Sequence, residues 1–207
     1  PFFPSIVEGV ERELTHDGRQ LLLCDSQGSP EVEAARLAAL RSRQVDGLLI
    51  ISCDAEASRA NVEQAASTVP VVQIDRSVVG CTTDFVGTDN GAGIRLLIDH
   101  LVGAGARSFA LVSAQAATTS ATARLEAYQR VLADIGLQGA GRTLLGDFSY
   151  EWGERVAAEL AAGPLPDAVL CGDDVIALGL LRGLRDAGVR VPEDVMVTGY
   201  DDIGFAG

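Results

Sequence analysis

Carboxylates and one aromatic ring follow the ends of several apolar segments of the chain. Asp75, Asp147 and Asp173 each lie within two residues of such an end, and so do Asp201 and Phe148. Ionised carboxylates accept hydrogen bonds from hydroxyl groups, and a phenyl ring packs against the apolar face of a sugar or a base. If the segments are parallel strands, these side chains meet at one edge of a sheet. The pattern predicts a pocket for a polyol or a nucleoside.

Aspartate also has common structural roles, which give an alternative interpretation of these residues. It is frequent in turns and as the capping residue at the start of a helix. A turn is the favoured interpretation of Asp147, and a capping or structural role is favoured for Asp174, which begins a predicted helix. Ligand binding is favoured over a turn for Asp201.

Arg124 lies on the apolar face of a predicted helix. Tyr128, Val131, Leu132 and Ile135 form the buried stripe of this helix, and Arg124 is one turn earlier on the same face. Helical side chains lean towards the N-terminus, which directs this guanidinium out of the core and towards the strand ends. Contact with a ligand is the favoured interpretation, and a buried ion pair with a neighbouring aspartate is the alternative.

Two phenylalanines follow Pro1 at the start of the chain. Phe3 continues an apolar stripe through Val7, Val10 and Leu14, so it is predicted to join the core. Phe2 lies about 100° away around the helix, which allows it to face the cleft. Core packing alone is the alternative interpretation of Phe2.

The elements that would position these residues alternate between strand and helix. The predicted strands are apolar throughout, as in a parallel sheet covered on both faces: 20–24, 47–51, 70–74, 84–87, 108–112, 143–146, 168–171 and 195–199. The predicted helices are 4–16, 31–43, 56–68, 90–104, 120–135, 151–162 and 174–187. This alternation predicts an α/β fold with doubly wound parallel sheets.

The alternation breaks once, and the break predicts two subdomains. After Ile74 the chain passes through a polar loop to the strand at 84–87 without an intervening helix, and the rhythm restarts at Asp89. We therefore expect one α/β subdomain over 1–87 and a second over 88–207.

Composition excludes two classes of partner for these 207 residues. The net charge of −13 repels phosphate backbones, so this segment is not expected to bind DNA itself. No apolar run approaches the ~20 residues of a membrane-spanning helix, so no membrane partner is expected.

Cysteine and histidine spacing indicates neither a zinc site nor a catalytic set. The chain contains four cysteines and two histidines: Cys24, Cys53, Cys81, Cys171, His16 and His100. None forms a C-x-x-C pair, and no Ser-His-Asp set, dinucleotide motif or phosphate loop is visible. Cys24, Cys53 and Cys171 are expected to be buried free thiols of a reducing cytoplasm. An enzyme is therefore the disfavoured class.

An ordered set of short motifs resembles the LacI/GalR family of transcriptional regulators and the related periplasmic sugar-binding proteins. The motifs span the chain: Pro1-Phe2-Phe3, Val45-Asp46-Gly47, the segment 70–76, Asp89-Asn90-Gly91, His100-Leu101 with Gly105-Ala106-Arg107, Arg124 with Tyr128, Ala177-Leu178-Gly179, and the segment from Val191-Pro192-Glu193-Asp194-Val195 to Gly199-Tyr200-Asp201-Asp202. The ending resembles a repressor more than a transport protein.

The resemblance implies a periplasmic-binding-protein-like fold of type I and a set of effector contacts. With the adjacent Arg76, the implied ligand-binding residues are Phe2, Asp75, Arg76, Arg124, Phe148, Asp173 and Asp201. Asp173 departs from the family pattern, which usually has asparagine there. An ionised aspartate only accepts hydrogen bonds, which disfavours an anionic ligand nearby. No cofactor, no metal and no catalysis are implied.

The resemblance also implies partners and missing parts. A helix-turn-helix domain that contacts operator DNA, a first β-strand and a return crossing after residue 207 are expected to lie outside this chain. The implied assembly is a cytoplasmic homodimer, in which an effector, mostly a sugar, changes the angle between the subdomains. The alternatives are a periplasmic solute-binding protein and, less favoured, an α/β enzyme acting on sugars or nucleotides.

Overall fold

The computed structural model describes residues 2–115 and 118–204. Pro1 of the Pro-Phe-Phe motif and the last three residues of the predicted second subdomain lie outside the described residues. The helices are α1 Phe2–His16, α2 Pro30–Ser42, α3 Arg59–Ala66, α4 Asn90–Gly103, α5 Thr119–Asp134, α6 Tyr150–Ala161 and α7 Asp174–Asp186. The strands are β1 Leu48–Ile50, β2 Val71–Ile74, β3 Asp84–Val86, β4 Phe109–Ala114, β5 Gly141–Gly146, β6 Ala168–Cys171 and β7 Met196–Thr198, and a 3-10 helix covers Gln138–Ala140.

The strands form two separate parallel sheets, which define two subdomains. The first sheet has the order β1-β2-β3 and the second has the order β5-β4-β6-β7. In the first, Val72 pairs with Asp84, and in the second Leu111 pairs with both Thr143 and Leu170. The α/β class, the parallel sheets and the helix-free connection from β2 to β3 confirm the predicted fold.

The second sheet is buried on both faces by helices. Phe109 and Leu111 of β4 pack towards α4 and α5, whereas Ala110 and Val112 pack towards α6 and α7. All of the side chains of β4 and β6 are buried. Because both faces of β4 and β6 are covered, these two strands read as unbroken apolar runs, and this is why they were predictable from the sequence.

Short polar side chains begin the helices that follow the strands. Asp89, Thr118, Ser149 and Asp173 each accept a hydrogen bond from a backbone N–H in the first turn of α4, α5, α6 and α7, respectively. Such caps satisfy donors that the helix itself leaves free. They also fix the N-termini of these helices at the carboxyl edges of the sheets.

The predicted strand at 20–24 is wrong. These residues form no regular structure, and Leu22 and Leu23 are 48% and 71% exposed. An extended segment needs a neighbouring strand to pair its backbone groups, and no described strand pairs with this one. Cys24, predicted to be buried with this strand, is therefore exposed, whereas Cys171 in β6 is buried.

Two helix predictions also need correction. No side chain of α1 is fully buried, so the apolar stripe that contains Phe3 is only partly covered by the rest of the protein. Ile135 lies one residue beyond α5 and is 37% exposed, because the helix ends before it completes the predicted stripe.

Among the described helices, none is both long and apolar enough to cross a bilayer.

Glycines let α6 and α7 cross with their backbones in contact. A Cβ atom on Gly153 would overlap the carbonyl oxygen of Ile176, and one on Gly179 would overlap that of Tyr150. Backbone atoms cannot give way as a flexible side chain can, so these two positions must remain glycine. The crossing holds the N-termini of α6 and α7 side by side.

We predict that Gly153→Ala lowers the free energy of unfolding by about 1–3 kcal/mol, the usual cost of overpacking a close contact. Gly103→Ala is the matched control, since a Cβ at this helical glycine meets no atom within 4 Å. The control is expected to be neutral or to stabilise by up to about 1 kcal/mol, because alanine restricts the unfolded chain. Urea unfolding of both variants measures the difference, and equal effects would contradict the proposed crossing.

Candidate functional site

A cavity of about 200 Å³ lies where the carboxyl ends of the strands of both sheets meet. Its lining comes from α1, from the segments that follow β2, β5, β6 and β7, from the first two turns of α5 and from the first turn of α7. The lining residues are Phe2, Phe3, Asp75, Arg76, Ser120, Arg124, Phe148, Asp173, Asp174, Val175, Asp201 and Ile203. The structure therefore brings together all seven residues predicted for the site.

A larger depression of about 600 Å³ is shallow and lies at the opposite end of the first sheet. Gln44 and Val45 precede β1 there, and Thr68 and Val69 precede β2. Ligands of open parallel sheets bind at the carboxyl ends of strands, and this depression lies at their amino ends. The smaller cavity is therefore the candidate site.

Arg124 is the central side chain of the cavity wall and is only 4% exposed. Its Nε donates to Asn90 Oδ1 at 2.8 Å, and one terminal nitrogen donates to the carbonyl oxygen of Gly172. Its other terminal nitrogen lies 3.4 Å from Asp201 Oδ1, and the guanidinium carbon is 3.8 Å from the centroid of the Tyr200 ring. Arg124 therefore both lines the cavity and forms the buried ion pair that the sequence left as an alternative.

Two of the carboxylates are held on left-handed backbone. Asp75 has a φ of 61° and Asp201 has a φ of 100°. Residues other than glycine rarely adopt such angles, although aspartate tolerates them better than most. Each such residue costs on the order of 1–3 kcal/mol, which the surrounding fold must offset. Backbone outliers of this kind concentrate at binding sites.

Burial raises the pKa of three carboxyl groups of the cavity. The pKa values of Asp75 and Asp173 lie above their ordinary range, chiefly because burial disfavours the charged form. For Asp201 burial raises the pKa to about 6; Arg124 opposes this shift, and the other carboxylates of the cavity add to it. The cavity is thus rich in negative charge that water solvates poorly.

Aromatic rings enclose the guanidinium of Arg76. Its carbon lies 5.1 Å from the centroid of Phe3 and 5.9 Å from that of Phe148, and the rings of Phe2 and Phe3 are 5.3 Å apart. Phe3 was predicted as a core residue and instead lines the cavity. The apolar stripe of α1 is only partly covered, and none of its side chains is fully buried. The Nε of Arg76 is 3.7 Å from Asp75 Oδ2.

Two neighbouring aspartates have structural roles. Asp174 is 5% exposed, and its Oδ2 accepts a hydrogen bond of 2.8 Å from the backbone N–H of Ile203, which ties the segment after β7 to α7. The side chain of Asp147 is 81% exposed and faces Arg155 outside the cavity. Both outcomes agree with the structural interpretations favoured from the sequence.

Several residues that line the cavity or contact Arg124 were not found from the sequence. Ser120 lies one turn before Arg124 on the same face of α5, so helical spacing could have identified it. Asn90 and Tyr200 were noted only within motifs, and their contacts with Arg124 join segments that are distant in the chain. Within the described residues, no group of His, Cys, Asp and Glu is arranged to hold a metal ion.

Residues 1–206 match the family described as periplasmic binding proteins and sugar binding domain of the LacI family. The chain belongs to this family. It is 32% identical to the ribose operon repressor of Escherichia coli (strain K12), over 100% of this chain and 63% of that protein. It is 31% identical to the HTH-type transcriptional repressor PurR of Haemophilus influenzae (strain PittEE), over 98% of this chain and 61% of that protein.

Solved structures support the same assignment. A LacI family transcriptional regulator from Lactobacillus casei with bound sucrose is 29% identical with a TM-score of 0.84, and the match covers 100% of this chain and 77% of that one. An uncharacterized protein from Actinobacillus succinogenes has a TM-score of 0.87 at 27% identity, over 96% of this chain and 74% of that one. This LacI-family chain spans less than two thirds of the length of the repressors it matches.

The raised pKa of Asp201 predicts how stability depends on pH. Between its ordinary value of 3.8 and about 6, the folded chain binds more protons than the unfolded chain. The contribution of Asp201 to stability therefore rises as the pH falls through this range. From pH 7 to pH 5 the wild type should gain roughly 1 kcal/mol relative to Asp201→Asn.

Chemical denaturation of the wild type and the variant at each pH measures this relative gain. Asp202→Asn is the control, because it removes an exposed carboxylate from the adjacent position. A difference between wild type and Asp201→Asn that does not vary with pH would show that Asp201 is already ionised at pH 5.

Proposed function

We propose that this chain is the effector-binding part of a ligand-responsive transcriptional repressor. In this proposal a sugar or a related hydroxyl-rich compound binds between subdomains 1–87 and 88–207. The observation that carries the proposal is the convergence of Phe2, Asp75, Arg76, Arg124, Phe148, Asp173 and Asp201 on one cavity. These side chains offer hydrogen-bond acceptors for hydroxyl groups and flat apolar faces for a sugar ring.

The similar proteins support a regulator that binds sugars. The relatives reported above are named as repressors, one of them of a ribose operon. The regulator from Lactobacillus casei was solved with bound sucrose and with bound glucose. The family also includes periplasmic binding proteins, and transport is therefore the alternative function.

A contact beside the cavity would couple the ligand to the arrangement of the subdomains. The hydroxyl of Thr119, the first residue of α5, accepts a hydrogen bond of 2.9 Å from the backbone N–H of Ser77 in the loop after β2. It also lies 3.2 Å from the carbonyl oxygen of Ser77. We propose that an effector favours one relative orientation of the subdomains in proportion to its differential affinity for the two states.

The partners of the whole regulator follow from the same proposal. Operator DNA would be contacted by a segment outside these 207 residues, since this chain carries a net charge of −13. The regulator would act as a homodimer in the cytoplasm, and the effector would leave unchanged because the site serves binding rather than catalysis. No cofactor is proposed.

The binding proposal predicts a ligand-dependent increase in thermal stability. We would screen sugars, polyols, sugar phosphates, nucleosides and amino acids, and a ligand at 100 times its dissociation constant stabilises by about 2.7 kcal/mol. The increase should be smaller in Asp75→Asn, which replaces one buried acceptor oxygen by a donor, and in Phe148→Ala, which removes an aromatic face of the cavity. It should persist in Asp147→Asn, because this carboxylate lies outside the cavity. A ligand whose effect is undiminished in both cavity variants would place the site elsewhere.

The regulatory proposal predicts that the same ligand alters DNA binding by the full-length gene product. Fluorescence anisotropy with promoter DNA of the neighbouring genes should show a change in affinity of about 5- to 150-fold, the usual range of allosteric coupling. In Asp75→Asn the same change should require a higher ligand concentration. Ligand binding without any DNA binding by the full-length product would favour the transport alternative.

A further inference from the structure

The ionisable groups of the cavity are unbalanced in charge. Four carboxylates line it, those of Asp75, Asp173, Asp174 and Asp201, against the two guanidiniums of Arg76 and Arg124. The excess is two negative charges when all groups are ionised. A charge in a poorly solvated site interacts with its neighbours more strongly than it would in water. The charge of an incoming ligand should therefore matter as much as its shape.

Both cations of the cavity already face carboxylates of the protein. Three nitrogens of Arg124 point to Asn90, Gly172 and Asp201, and its guanidinium face covers the Tyr200 ring. Arg76 lies between two aromatic rings and faces Asp75. Each guanidinium already faces a carboxylate, although the buried Nε of Arg76 has no hydrogen-bond partner among residues 2–115 and 118–204. An anion would gain less here than at an isolated cation, because it must also approach the neighbouring carboxylates.

The acceptors of the cavity are also incompletely used. Asp75 is 7% exposed, and its buried Oδ1 has no hydrogen-bond partner among residues 2–115 and 118–204. Asp173 gives one oxygen to the backbone N–H of Ile176 at 2.7 Å, and Asp201 gives one oxygen to Arg124 at 3.4 Å. A buried carboxylate oxygen without a donor is costly, and a ligand that supplies the donor removes this cost.

We propose that the cavity selects a hydroxyl-rich ligand that carries a protonated amine, such as an amino sugar or an amino alditol, with the ammonium group held by Asp75 and Asp173. This inference rests on the proposed function and names the class of effector. An ammonium group supplies up to three donors and offsets the excess of negative charge. A neutral polyol supplies donors and leaves the repulsion between the carboxylates in place, and a sugar phosphate increases it.

The repulsion among the carboxylates supports the same conclusion. Asp75, Asp173 and Asp174 each raise the pKa of Asp201 through their charges, in addition to the effect of burial. An ammonium bound among them would act in the opposite direction and favour the ionised carboxylates. The carboxylates of the cavity therefore repel one another, and a bound cation would reduce this repulsion.

Matched pairs of probes test the proposal on the intact chain by isothermal titration calorimetry at pH 7. The pairs are glucosamine with glucose, galactosamine with galactose, mannosamine with mannose, and 1-amino-1-deoxysorbitol with sorbitol. In at least one pair the amine should bind about tenfold or more tightly than its neutral partner. Glucose 6-phosphate should bind more weakly than glucose.

Asp173→Asn and Asp75→Asn test whether the preference arises in the cavity. Asparagine caps helices as well as aspartate does, so Asp173→Asn removes the charge and keeps the start of α7. Each variant should reduce the preference for the amine by about tenfold or abolish it. Asp147→Asn changes the net charge of the chain equally, from outside the cavity, and should leave the preference intact.

Three other outcomes would each overturn the inference that the cavity prefers an amine. Equal or tighter binding of the neutral partners overturns this inference and leaves the proposed function standing. A preference for amines that all three variants retain also overturns it, because the general acidity of the chain would then be the cause. No binding of any probe at millimolar concentration overturns the inference together with the proposed sugar-like effector.

Discussion

The geometry of the candidate site depends on the contacts of one buried group, the guanidinium of Arg124. It joins the first residue of α4, the segment after β6 and the segment after β7, which are far apart in the chain. A buried charge is tolerated only when it is paired and hydrogen-bonded, and Arg124 meets both conditions through Asp201, Asn90 and a main-chain carbonyl group. The ends of β6 and β7 are thereby set relative to one rigid, planar group.

The cavity concentrates features that oppose folding. Left-handed backbone at Asp75 and Asp201, and carboxylates with raised pKa values, all lie within one small volume. The cost is offset by the large apolar layers on the two faces of the second sheet, which contain no such strain. Strain that is stored in a site and supported by a rigid scaffold is typical of a preorganised binding pocket.

Sequence patterns predicted the second sheet and its helices well because each element is locally consistent with its burial. The continuous apolar runs of β4 and β6 and the capping residues at helix starts carry this information within a few residues. Arg124 was found by the same local logic, since helical spacing placed it above Tyr128. The segment 20–24 failed because a strand requires a partner, which periodicity along the chain cannot reveal.

The contacts that the sequence could not provide are those between distant segments. Nothing near Asn90 or Tyr200 indicates that both would meet Arg124, 34 residues from Asn90 along the chain. Phe3 was assigned to the core because its spacing matches the stripe of α1, and whether that stripe is covered depends on tertiary packing. Local patterns thus identified the chemistry of the site more readily than the way its parts are held.

The glycine contact between α6 and α7 has a consequence for the kind of motion available to the second subdomain. Helices that pack through interleaved side chains can slide past each other when rotamers change, which is the basis of shear motions. Where backbone meets backbone, as at Gly153 and Gly179, no rotamer change can accommodate such sliding. Phe148 and Asp173, which precede these two helices, would then travel as one body, and any opening of the cleft would be confined to a hinge between the sheets.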